Sequence, residues 1–148
     1  MSTFKDAMTA FERGDFAGAI DLFSAAVAAD ENVPVSLSKR GVCKLHLHDR
    51  AGARQDFEAA LQADIRCVAA IVNLGNLALE AGDLTAAQAH YEQALRIDET
   101  YSLAHYNLGV LLRKRGDLAA SVRELRLAAK YEARPQTARK RLAFWKRR

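Results

Sequence analysis

Apolar residues recur along this chain with helical spacing, and the helical stretches come in pairs. Ile71, Leu74, Leu77 and Ala78 fall at i, i+3, i+6 and i+7. Leu84, Ala87, Tyr91, Ala94 and Leu95 fall at i, i+3, i+7, i+10 and i+11. Between them stands Ala81-Gly82-Asp83. The glycine suits the left-handed end of one helix and the aspartate caps the next. Each pair therefore reads as a helix–turn–helix hairpin. Carried along the chain, the pattern predicts nine helices near 2–13, 16–29, 36–46, 50–63, 69–81, 84–97, 103–115, 118–130 and 136–146.

The hairpins repeat every 34 residues without insertions. Gly14-Asp15, Gly82-Asp83 and Gly116-Asp117 share one column, with His48-Asp49 in the missing place. Ala26, Ala60, Ala94 and Ala128 form a second, and Ala7, Gly41, Gly75 and Gly109 a third. Phe23, Phe57, Tyr91 and Leu125 form a bulky fourth. A mid-helix glycine costs about 1 kcal/mol against alanine, so the column needs a packing reason. The expectation is close approach of the hairpin's second helix through Ala19, Ala53, Ala87 and Ser121, with the bulky column filling the gap to the next hairpin. A fixed period of this length marks a solenoid, in which stacked units share one continuous core.

The period and small-residue columns resemble the tetratricopeptide repeat family. Ile71-x-x-Leu74-Gly75-x-x-Ala78 followed by Ala87-x-x-x-Tyr91-x-x-Ala94 carries the resemblance. So does His105-x-x-Leu108-Gly109-x-x-Leu112 followed by Ser121-x-x-x-Leu125-x-x-Ala128. The family's tryptophan is absent, its place taken by Thr3, Leu37, Ile71 and His105. The expected domain is residues 1–133, an all-α array of four units at about 1–33, 34–67, 68–101 and 102–133, with 134–148 as a basic capping helix. The resemblance implies a right-handed superhelix whose concave side is lined by the first helix of each hairpin. The second unit is irregular: Arg40 and Lys44 stand where the third has Leu74 and Ala78. Asp6 occupies the Arg40 column of the first unit, and an Asp6–Arg40 pair is the expected compensation.

Composition agrees with helices. Only two prolines and 11 aromatics (6 Phe, 4 Tyr, 1 Trp) occur, and half the chain is apolar. No run approaches the roughly 18 apolar residues of a membrane span, and no signal-like segment opens the chain, so a cytoplasmic location is expected. Cys43 and Cys67 make no disulfide or zinc framework and read as reduced thiols, Cys43 in the core. The net charge of +4 is unevenly placed. Residues 1–101 carry nine Lys/Arg against fifteen Asp/Glu, and residues 102–148 thirteen against three.

No catalytic constellation is present. His46 and His48, two apart on a helix, face different ways and lack a third ligand, so no metal is expected. No glycine-rich phosphate loop occurs, and neither an enzymatic activity nor a cofactor is expected.

Function is then sought on a surface. By the resemblance, the concave groove carries Lys5, Lys39, Val72, Asn73, Asn76, Tyr106, Asn107, Val110, Arg113 and Lys114. Lys5, Lys39, Asn73 and Asn107 share one column. An asparagine both donates and accepts, so such a ladder can hold a peptide backbone regardless of its sequence. The family's chaperone-tail clamp is not present in register: Asn73 matches its middle member, but Ser38, Val42, Leu103 and Asn107 replace the others. The leading expectation is an adaptor and scaffold for another protein or peptide. The second centres on the basic patch Arg139, Lys140, Arg141, Lys146, Arg147 and Arg148, which suits an acidic protein surface, nucleic acid or an anionic membrane. The third is self-association by stacking of terminal units. Ala138, Leu142 and Trp145 form the apolar stripe of the expected cap.

Overall fold

A computed structural model describes residues 2–132 of the chain. The ninth helix expected near 136–146, the capping role of 134–148 and the six-residue basic patch lie outside the described residues.

Eight helices run in chain order: α1 (Thr3–Glu12), α2 (Phe16–Ala28), α3 (Val33–His46), α4 (Arg50–Ala63), α5 (Val68–Glu80), α6 (Leu84–Ile97), α7 (Ser102–Lys114) and α8 (Leu118–Tyr131). They pair as α1–α2, α3–α4, α5–α6 and α7–α8, and each hairpin packs on the next through α2–α3, α4–α5 and α6–α7. The first helices also touch one another directly, α3 with α5 and α5 with α7. The fold is an all-α solenoid.

One turn design joins the helices within every hairpin. Asp15, Asp49, Asp83 and Asp117 each accept a hydrogen bond from the backbone N–H three residues on, at 2.9–3.1 Å, capping α2, α4, α6 and α8. The preceding residue is left-handed each time: Gly14, Gly82 and Gly116 at φ 80–83°, and His48 at φ 65°. His48 thus adopts the glycine conformation without being glycine. Its N–H bonds to the Leu45 carbonyl at 3.0 Å and that of Asp49 to the Lys44 carbonyl at 2.8 Å, as at the glycine turns.

α3 starts at Val33, three residues before the expected 36. Pro34 lies in its first turn, where a missing N–H costs nothing.

The core is a chain of clusters, each spanning a hairpin and the first helix of the next. Ala7, Ala19, Phe23 and Cys43 make one. Leu37, Phe57, Ala60, Ala70 and Leu74 belong to the next, and Ile71, Val72, Tyr91, Ala104, Leu108 and Leu111 to the third. The glycine column is explained differently from expectation. A Cβ at Gly41 would lie 2.6 Å from the Phe57 ring, one at Gly75 2.7 Å from the Tyr91 ring, and one at Gly109 2.8 Å from Leu125. The bulky side chains Phe57, Tyr91 and Leu125 therefore fill the glycine notch of their own hairpin, because a Cβ there would occupy the space they take. Ser121 does contribute as expected: its hydroxyl donates to the Gly109 carbonyl at 2.7 Å.

A candidate peptide-binding groove

The first helices α1, α3, α5 and α7 carry every groove residue predicted from sequence except the basic patch. Asn73, Asn76, Tyr106, Asn107 and Val110 are half-buried, and Arg113 and Lys114 stand exposed at the end of α7. Val72 is a correction. It is 1% exposed and lies in the third cluster, because its side of α5 turns toward α7 rather than toward solvent.

The asparagines are not independent rungs. The Asn107 amide donates to Asn76 Oδ1 at 2.9 Å, linking α7 to α5. The Tyr91 hydroxyl donates to the same oxygen at 2.6 Å. Two donors on one carbonyl oxygen fix the orientation of the Asn76 amide. Gly75 makes this possible: its notch admits the Tyr91 ring, whose hydroxyl then reaches from α6 to the first-helix face. Burial raises the Tyr91 phenol, which stays a neutral donor. Sequence reading placed Asn76 among groove residues but missed Tyr91 as its support.

At the N-terminal end Lys5 is exposed, and the Lys39 ammonium sits 4.9 Å from the centre of the Phe11 ring on α1. His46 stacks on Phe16 with centroids 4.0 Å apart. Glu31 accepts from the Ser2 hydroxyl at 2.8 Å and the Phe4 N–H at 2.9 Å, closing the start of α1 from the connection between α2 and α3. The Phe4 N–H and the Ser2 hydroxyl hold this carboxyl below its ordinary value.

The expected Asp6–Arg40 pair does not form. Asp6 is exposed. Arg40 instead forks onto Asp56 of α4, Nε to Oδ2 at 2.9 Å and Nη2 to Oδ1 at 2.7 Å, and Nη1 donates to Ser24 of α2 at 3.0 Å. Lys44, one turn on, reaches Asp56 Oδ2 at 3.0 Å. Hydrogen bonding to Asp56 raises the Arg40 guanidinium. A periodic signal was available: Arg40 lies 16 residues from both Ser24 and Asp56, the offset that also relates each glycine to its bulky partner.

His105, Cys43 and Cys67 also belong to the frame. His105 is 6% exposed, its Nδ1 2.7 Å from Glu124 Oε2 and its Nε2 2.7 Å from the Glu99 carbonyl oxygen, tying α7 to α8 and to the preceding turn. Burial pushes the Cys43 thiol up to about 11 and raises that of Cys67. Neither is a ready nucleophile at neutral pH. Among the described residues no group of three or more His, Cys, Asp or Glu side chains is placed to hold a metal ion, and no helix is long and apolar enough to cross a membrane.

Comparison with known proteins identifies the architecture. Residues 4–66 match a family model described as a tetratricopeptide repeat, and residues 75–116 one described as a TPR repeat. No curated protein matches the chain by sequence. Among solved structures, a crystal structure of MamA is similar over 88% of this chain and 76% of its own, with 18% identity and a TM-score of 0.71. The Sgt2 TPR domain from Aspergillus fumigatus is similar over 78% of each chain, with 22% identity and a TM-score of 0.68. The first TPR of Spaghetti (RPAP3), bound to the HSP90 peptide SRMEEVD, is similar over 77% of this chain and 90% of its own, with 21% identity and a TM-score of 0.68. At these identities the likeness shows the fold. With the 34-residue period, the glycine–bulky notches and the stacked hairpins, these matches show that the chain belongs to the tetratricopeptide repeat family.

Proposed function

We propose that this protein is a non-catalytic adaptor that holds an extended segment of a partner protein along its first-helix face. Tetratricopeptide repeats are protein–protein interaction modules, and one structural neighbour is bound to a peptide. The observation that carries the reading is the braced row on α5 and α7: Asn76 is held by Tyr91 and Asn107, with half-buried Asn73, Tyr106 and Val110 beside it. A braced polar row offers backbone hydrogen bonds without first losing side-chain entropy. Lys5 and Lys39 extend the row toward α1.

The test is affinity capture from source-cell lysate with the wild type beside Asn73→Ala/Asn107→Ala, both checked for unchanged melting. Loss of specific partners in the folded variant is expected. Unchanged capture refutes groove binding. Affinity for a captured peptide should fall only mildly with salt. The basic stretch of residues 102–148 supports a second reading, nucleic-acid binding. Five or six phosphate contacts would give a log–log salt slope near about −5, and sub-micromolar duplex binding at physiological salt would replace the adaptor reading.

A further inference from the structure

The brace on Asn76 uses up one half of its hydrogen-bonding capacity. Its Oδ1 accepts from the Tyr91 hydroxyl at 2.6 Å and from the Asn107 amide at 2.9 Å. A carbonyl oxygen has two lone pairs, so this acceptor is filled. The NH2 group of Asn76 donates to nothing among the described residues and is open to solvent. The centre of the groove therefore offers donors. Lys39, held over the Phe11 ring, can only donate as well. The Asn73 amide, between Lys39 and Asn107 in their column, makes no hydrogen bond among the described residues. Beside these donors Leu103, Tyr106 and Val110 fall at i, i+3 and i+7 on α7, all half-buried, and make an apolar shelf. Glu80 at the end of α5 is paired with Arg50, so this stretch presents no free carboxylate.

An extended backbone laid across these donors can take two shapes. A β-strand repeats every two residues, roughly 6.7 Å, and brings an N–H for every carbonyl. At the filled Asn76 oxygen such an N–H finds no acceptor. A polyproline II helix repeats every three residues, about 9.3 Å, with its carbonyls all unpaired. First helices of successive units touch, α3 with α5 and α5 with α7, and packed helices lie about 8–10 Å apart. One turn of polyproline II thus spans one unit and returns a carbonyl to the same position on each. Proline removes the N–H altogether and fixes the backbone beforehand. We propose that the groove takes a proline-rich segment of its partner in the polyproline II conformation. Carbonyls three residues apart meet Lys39, Asn73 and Asn107, another meets the Asn76 NH2 group, and proline rings lie on Leu103, Tyr106 and Val110. The inference rests on the adaptor reading and adds the conformation and composition of the bound segment.

Fluorescence anisotropy on the full chain tests this with three labelled, end-blocked nonapeptides: nonaproline, an alternating threonine–valine strand former and a glycine–serine chain. Nonaproline should bind about tenfold tighter than either of the others. Equal or tighter binding of the threonine–valine or the glycine–serine peptide overturns the proposal. Asn76→Asp keeps an oxygen for Tyr91 and Asn107 but removes the NH2 donor, and should weaken nonaproline about tenfold with little change in melting. Asn73→Ala removes a donor without touching the brace and should weaken it about fivefold. Wild-type affinity in either folded variant overturns the proposal. If nonaproline fails to bind while captured partners still depend on Asn73 and Asn107, the proline-rich segment is refuted and the adaptor reading stands. If capture is also independent of both asparagines, the two readings fall together.

Discussion

Replacing Arg40 by leucine tests whether the second unit's charges are a working joint between three helices. Asp56 is 3% exposed and takes two hydrogen bonds from Arg40 and an ion pair from Lys44. Arg40→Leu leaves that carboxylate buried with Lys44 alone. Breaking a buried pair by removing one partner costs about 3–5 kcal/mol. Lys44 offsets part of this, and both cationic side chains are 21% exposed, so about 2–3 kcal/mol is expected. The double variant Arg40→Leu/Asp56→Leu removes the stranded charge and restores an apolar seam like that around Leu74; it should lie within about 1 kcal/mol of wild type. Urea unfolding of the four members of the cycle gives the coupling, expected at about 2 kcal/mol. Asp6→Ala, on an exposed residue, should change stability by less than about 0.5 kcal/mol. Additive single effects would refute the joint, and a large Asp6 effect would restore the pairing that the sequence suggested.

Three further outcomes follow from the same geometry. Gly75→Ala places a methyl 2.7 Å from the Tyr91 ring and should destabilise by about 1–3 kcal/mol in urea melts, with Gly75→Ala/Tyr91→Leu recovering part of the loss. His48→Gly relieves a left-handed side chain at φ 65° and should raise stability by roughly 0.5–1 kcal/mol, the αL cost less the added chain entropy; a lower melting temperature refutes the turn argument. The lowered pKa of Glu31 means its contribution is present above the ordinary carboxylate range and is lost as pH falls through the lowered value. Glu31→Gln should therefore flatten the acid side of the stability–pH curve, and an unchanged acid limb shows that the anchor on α1 contributes nothing.

The order of helices, the turns between them and the period were legible in the amino-acid sequence, because each is a local matter. Gly82 and Asp83 encode a helix end and a helix cap by their own conformational and hydrogen-bonding preferences, and the repetition of a column every 34 residues needs no three-dimensional information. What Arg40 pairs with was not legible in the same way. Asp6 on α1 and Asp56 on α4 are both acidic, and only the stacking of α3 between α2 and α4 decides that Asp56 and Ser24 lie within reach while Asp6 stays in water. The groove divides along the same line. That Asn73, Asn76 and Asn107 sit on first helices follows from the period. That Val72 turns into the core, and that Tyr91 crosses from a second helix through the Gly75 notch to brace Asn76, depends on the angle at which neighbouring helices pack. That angle is set jointly by side chains from several units, which no single repeat encodes.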